Sequence, residues 1–144
     1  MLVVKIPPIE LYDELTGTFM DAKEQVLQLE HSLVSLSKWE SKWKKPFLGK
    51  EDKTTEETRD YIKCMTLTQN VNPEVYTRIP VSIVNRISEY IEDSMTATTF
   101  SFPSQNKTNR EVVTAEILYY YMIALNIPFE CQKWHLNRLL TLIN

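Results

Sequence analysis

Ile117-Leu118-Tyr119-Tyr120-Tyr121-Met122-Ile123-Ala124-Leu125 is a run of nine residues without a charge, a glycine or a proline. A helix on the surface of a globule ordinarily keeps one polar face. This run has none along its whole length, so both of its sides are expected to meet protein. Upstream, Thr108 and Glu111 stand at capping-box spacing, with Glu111 able to reach back to the cap. Downstream, Pro128 pushes the residue before it out of the helical region. The pattern predicts a helix over 109–126 whose second half lies at the centre of a helical core. The run is far shorter than the roughly 20 residues a bilayer requires. Each tyrosine carries a hydroxyl that wants a partner when buried, which puts the helix near polar loops or an interface.

A chain of 144 residues, 43% of them hydrophobic, favours one domain around one core. With only two glycines, a Gly-rich phosphate loop and tight-turn β architectures are not expected. The net charge of −3 gives no global basic field to attract nucleic acid. Lysines do gather at Lys38, Lys42, Lys44, Lys45, Lys50 and Lys53, but Glu40, Glu51 and Asp52 interrupt them. That reads as a solvated face rather than a phosphate track. Cys64 and Cys131 make no disulfide framework and are expected to be reduced thiols. The apolar start Met1–Lys5 is too short for a signal peptide. No segment reads as transmembrane, and the chain reads as cytosolic.

Outward from the central run, Leu2–Ile6 is a short β-type run stopped by Pro7-Pro8. Gly17-Thr18 marks a turn, predicting a hairpin of Leu11–Leu15 with Thr18–Ala22, and Gln25–Glu30 forms a third extended run. A helix over Asp21–Leu29 competes, because Ala22, Lys23, Glu24 and Gln25 are good helix formers. Ser32 can cap a helix reaching Trp43, with Leu33, Leu36, Trp39 and Trp43 on one face. Thr54 and Glu57 form a second capping box, for a helix to about Thr66 that buries Thr58, Tyr61, Ile62 and Met65. Asn72-Pro73 is a turn signal. Pro80 suits the first turn of a helix to Asp93, striped by Val84, Ile87 and Ile91. Thr96–Phe102 reads as a short strand. A last helix over Pro128–Ile143 places Phe129, Leu136, Leu139, Leu140 and Ile143 at helical spacings, with Trp134 off the stripe. The expected fold is mainly α (α+β), about five helices in one compact domain with a small N-terminal β hairpin or sheet. Residues 1–30 form the β layer and 31–144 the helical body.

Chemistry finds little to work with. Cys131 and His135 are four apart on an expected helix and could face one metal, but zinc takes three or four protein ligands. Cys64, His31 and scattered carboxylates offer no diagnostic spacing, so neither a metal nor a cofactor is expected. As a nucleophile pair, Cys131 and His135 are flanked by Phe129 and Trp134, which speak for packing. No nucleophile-elbow, zincin or P-loop pattern occurs, no catalytic residue is assigned, and a non-enzymatic role is expected. Glu56, Glu57 and Asp60 oppose the positive end of a helix macrodipole. Glu116, at the edge of the apolar run, is expected to form a buried ion pair with Arg110 or Arg138. The block Ser37–Leu48 combines tryptophans with lysines, as single-stranded nucleic-acid sites and interface hot spots do. Helical spacing of Trp39 and Trp43 favours core packing, then an interface, then nucleic acid.

Several stretches look alike to a group of viral proteins: His31–Trp43 with Pro46-Phe47-Leu48, Asp60–Thr66, Met95–Thr98 and Ile127–Leu140. Together they cover most of the chain. It resembles small morphogenesis proteins of tailed bacteriophages, of the tail assembly chaperone kind. The resemblance implies a helper that coats the tape measure protein in the host cytoplasm, keeps it soluble and hands it to the polymerising tail tube subunits. It also implies a short basic continuation beyond Asn144, in line with the unbroken periodicity of the last helix. Such a helper needs an apolar groove or patch for an amphipathic helix, and weak contacts multiplied over many copies. By composition the partner-binding candidates are Trp39, Trp43 and Phe47, and, on the last helix, Trp134, Leu139 and Ile143. A homo-oligomer is left open. A virion component such as a head–tail connector or tail terminator is the alternative.

Overall fold

Helix α1 (Leu33–Trp43) has one core on each side. Ser32 starts it: its hydroxyl accepts from the Ser35 N–H at 3.3 Å, and the Ser35 hydroxyl accepts from the Ser32 N–H at 3.0 Å. This is a capping box with serine in the usual glutamate position. Lys44 ends it in the left-handed region, φ 55°, with its N–H on the Glu40 carbonyl at 2.8 Å. The computed structural model describes residues 1–13, 18–49, 52–98 and 113–143.

Strands β1 (Leu2–Ile6), β2 (Ile9–Asp13), β3 (Thr18–Ala22) and β4 (Gln25–Leu29) form two antiparallel pairs, β1 with β4 and β2 with β3. Ile6 lies opposite Gln25, and Ile9 opposite Ala22. The register is therefore continuous, and the four strands are one long ribbon interrupted at Pro7-Pro8. Prolines supply no N–H to a ladder. Across the break the Arg78 guanidinium donates to the Pro7 carbonyl at 3.0 Å and to the Lys23 carbonyl at 2.8 Å, clamping both strands. The competing helix over Asp21–Leu29 does not form. In β4, Leu27 and Leu29 alternate with exposed neighbours and bury against the core with Val4 and Ile6, the pattern of a one-sided sheet. The expected first hairpin strand begins earlier, at Ile9, and Glu14 and Leu15 fall outside the described residues.

The first core joins the β1–β4 ribbon to Trp39 of α1, to Tyr61, Ile62 and Met65 of α2 (Thr55–Met65), and to Ile87 of α3 (Val81–Glu92). Val75 and Tyr76 enter it from a 3-10 helix, Pro73–Arg78, inside the expected polar turn. Thr54 caps α2 by accepting from the Glu57 N–H at 3.2 Å. The end of α2 ties to β4, with Glu30 N–H on the Met65 carbonyl and Leu67 N–H on that of Gln28. The second core gathers Leu33 and Leu36 of α1 with Ala115, Leu118 and Met122 of α4 (Ala115–Ala124), Cys131, and Leu136 and Leu139 of α5 (Leu136–Ile143).

The fold is thus mainly α with a small N-terminal antiparallel β element. Three local expectations are corrected. The central helix begins only at Ala115, since Val113 and Thr114 are not helical; the expected cap, Thr108, lies outside the described residues. The last helix is broken into a 3-10 turn, Phe129–Lys133, and α5. His135 makes the break: its Nδ1 accepts from the Asn137 N–H at 3.2 Å, while the Leu136 N–H goes to the His31 carbonyl at 2.7 Å. Thr96–Thr98 adopt no strand, and residues 99–102 of that expected strand are outside the described set.

Candidate functional site

The six residues singled out for partner binding do not converge. Trp39 is fully buried, its indole N–H on the Glu57 carbonyl at 2.9 Å, and Leu139 is fully buried in the second core. Neither offers a surface, because aromatic and aliphatic side chains at helical spacing on α1 and α5 face the core. Trp43 is half-buried against Trp39 and donates to the Asp60 carboxylate at 2.8 Å. Phe47 stacks on Tyr61 with ring centroids 3.9 Å apart. Trp134 lies under the Arg138 guanidinium at 4.6 Å, and Ile143 is half-buried beside the second core. With Arg138 on Trp134 and Glu116 exposed, the expected buried ion pair between them is not there, and Arg110 lies outside the described residues. Glu40 is the buried acid that joins helices instead. Its carboxylate accepts from the Ala115 N–H at 2.7 Å and the Phe47 N–H at 3.4 Å. Burial raises its pKa above the ordinary glutamate value, against the pull of those two N–H groups.

Both histidines sit where the two cores meet. The Tyr61 hydroxyl lies between Nδ1 of His31 and Oγ of Ser35, the latter at 3.1 Å. The His135 ring packs edge-on against His31 at 5.3 Å, and its Nε2 donates to the Tyr90 carbonyl at 2.7 Å. The Tyr90 hydroxyl donates to Glu30 at 2.7 Å. Burial, with the neighbouring His135, lowers the His31 pKa to about 3, and burial pushes the Tyr61 hydroxyl well above the ordinary tyrosine range. A base this weak and a phenol this reluctant, both closed to solvent, are suited to holding helices together. Burial also raises Cys64 to about 11, so its thiol is a poor nucleophile. Among the described residues, no three His, Cys, Asp or Glu side chains stand where they could hold a metal ion.

The accessible apolar surface lies elsewhere. A groove runs between α2 and α3, through a cavity of about 290 Å³ and another of about 330 Å³ that share Lys53, Thr58, Ile62 and Val84. Its apolar lining is the half-buried Val84 and Ile91, over Ile62 and Ile87, which are themselves buried in the first core. Lys53 stands at its rim, 4.3 Å over the Phe47 ring, with Arg59 and Glu92 also on the lining. The groove exists because α2 packs on α1 while α3 packs on β1, leaving the two helices' facing aliphatic side chains apart. The stripe Val84, Ile87, Ile91 is legible as sequence, but it signals burial and not an opening. The second surface is α4. Ala115, Leu118 and Met122 turn inward, while Tyr120 (66% exposed), Ile123 (62%), Tyr121 (40%) and Leu125 (52%) face out. Phe129 (54%) extends them past Tyr119, its ring 6.4 Å away. The run expected to meet protein on both sides meets its own chain on one.

No described helix is long and apolar enough to cross a membrane. Comparison with protein-family models, curated proteins and solved structures finds no match.

Proposed function

We propose that this chain is a non-enzymatic assembly chaperone of the phage tail kind, acting in the host cytoplasm on the tape measure protein before it is passed to the tail tube subunits. The observation that supports this reading is the groove between α2 and α3. Val84 and Ile91 line it, half-buried, and its rim carries cations at Lys53 and Arg59 and an acid at Glu92. An amphipathic helix docks in such a groove through apolar side chains at i, i+3/4 and i+7, with its polar flanks on the charged rim. The two cavities match a few such side chains rather than a long buried segment, which suits weak contacts repeated along an extended partner.

Co-expression with the tape measure protein of the same phage tests the proposal. The wild type is expected to co-elute with it in excess copies and keep it soluble, and Val84→Lys, which puts a charge on the groove lining, is expected to lose co-elution while staying folded. A chain that stays apart from the tape measure and is recovered from purified particles at fixed copy number would point instead to a connector or terminator component.

A further inference from the structure

We infer that the groove between α2 and α3 selects a partner helix whose apolar stripe is flanked by carboxylates, one pairing with Lys53 and another with Arg59. This rests on the groove as the docking site of the proposed function, but not on which protein supplies the helix. α3 gives the groove a ledge of Val81, Val84 and Ile91, at i, i+3 and i+10, with Ser88 between them at i+7. Val81 is 75% exposed, and Val84 and Ile91 are half-buried. The 12 residues of α3 rise about 18 Å, so the ledge matches about three turns of a second helix.

The charges say which kind of helix. Two acids of α2 are already answered within the chain. Glu57 pairs with Lys45, and Asp60 accepts from Lys42 and from the Trp43 indole, each at 2.8 Å. Lys53 and Arg59 form no ion pair among the described residues. Lys53 is the one charged side chain common to both cavities. It is half-buried, its ammonium 4.3 Å over the Phe47 ring. Burial lowers its pKa below the ordinary lysine value, ahead of the opposing pulls of Glu57, which Lys45 holds, and of the exposed Asp52. A partner carboxylate answers such a desolvated cation, whereas a partner ammonium meets repulsion there. Along the groove the charges run Arg59, Lys53, Glu92, two positive and one negative. The complementary helix therefore carries two acids and at most one base beside its stripe.

Two synthetic peptides of about 14 residues, both with leucines at i, i+3, i+7 and i+10, test this by fluorescence anisotropy with the full chain. One carries glutamates on its flanks and the other lysines. The glutamate peptide is expected to bind about tenfold or more tightly than the lysine peptide at low salt, with the preference shrinking in about 0.5 M salt. Lys53→Glu and, separately, Arg59→Glu are each expected to reduce that preference about tenfold. Arg59 is exposed and belongs to neither core, so its variant serves even where Lys53→Glu, beside Phe47, melts early. Equal affinity for the two peptides, binding of neither, or a preference unchanged in both variants overturns the inference. A tape measure protein whose co-elution is lost with Val84→Lys but kept with Lys53→Glu and Arg59→Glu also overturns it, and leaves the chaperone reading standing. A glutamate preference carried by Lys53 and Arg59 in a chain that does not co-elute with the tape measure supports the inference and removes the chaperone.

Discussion

Acidification between about pH 6.5 and pH 4.5 should destabilise the protein mainly through one buried ring, His31. Burial, and then the neighbouring His135, hold its pKa at about 3 against an ordinary value of 6.5. The folded value is depressed, so the unfolded chain takes up the proton first. Stability is fully present above 6.5 and is lost as the pH falls from there towards 3. Each pH unit in that interval corresponds to about 1.4 kcal/mol, so two units cost about 2–3 kcal/mol, an appreciable part of a domain's stability. The lowered carboxylates Glu57 and Asp60 lose stability only below their ordinary values of 4.5 and 3.8, so they leave this window clear. Glu40, raised by burial, acts in the opposite sense, its contribution growing as the pH falls, and it is common to wild type and variant. Urea unfolding followed by tryptophan fluorescence, at about pH 7 and about pH 4.5, should be run on the wild type and on His31→Gln, which keeps a polar group near Tyr61. The wild type is expected to lose about 2–3 kcal/mol more than the variant. Parallel losses, or an NMR titration of the His31 ring near its ordinary value in the folded protein, would refute the reasoning.

Glu40→Ala removes the carboxylate that accepts from the buried Ala115 N–H, and is expected to cost about 1–3 kcal/mol in chemical denaturation. Glu40→Gln keeps an acceptor oxygen and buries no charge, so it should stay within about 1 kcal/mol of wild type; equal losses in the two variants would count against the capping role. Arg78→Ala unclamps the ribbon at Pro7 and Lys23. Amide exchange should then quicken in β2 and β3 by the equivalent of about 1 kcal/mol while β1 and β4, held by the first core, change little; uniform exchange along all four strands would show that the clamp is not needed.

The elements whose limits are written locally were legible in the sequence. Ser32 and Thr54 each stand just before a helical stripe with a side-chain oxygen able to accept a first-turn N–H, and α1 and α2 start after them. Asp93 closes α3, where the sequence pattern placed its end. What was not legible depends on partners distant in the chain. Nothing near His135 says that its ring will accept an N–H two residues ahead and split the last helix, because that requires His31 to offer its carbonyl to Leu136. Nothing near Glu40 says that its carboxylate will start α4, seventy-five residues on. The same blindness placed Trp39 and Leu139 among the binding candidates. A buried tryptophan and a hot-spot tryptophan look alike until the fold decides which side of the helix is covered.

The exchange of roles between α1 and α4 follows from that ambiguity. Apolar run length favoured α4 as the centre, yet α1, with lysines and a glutamate in its sequence, holds both cores. α1 can do so because its polar groups are answered within the fold: Ser32 and Ser35 by each other, Glu40 by two N–H groups, and the Trp39 indole by Glu57. α4 carries only Glu116 and three tyrosine hydroxyls as polar side-chain groups, and Tyr119 answers one of these by donating to Gln132 at 2.8 Å, so burial on one side leaves the other mostly apolar. Replacing Tyr120 or Ile123 by a polar residue would cost an isolated monomer little, because neither is in its core.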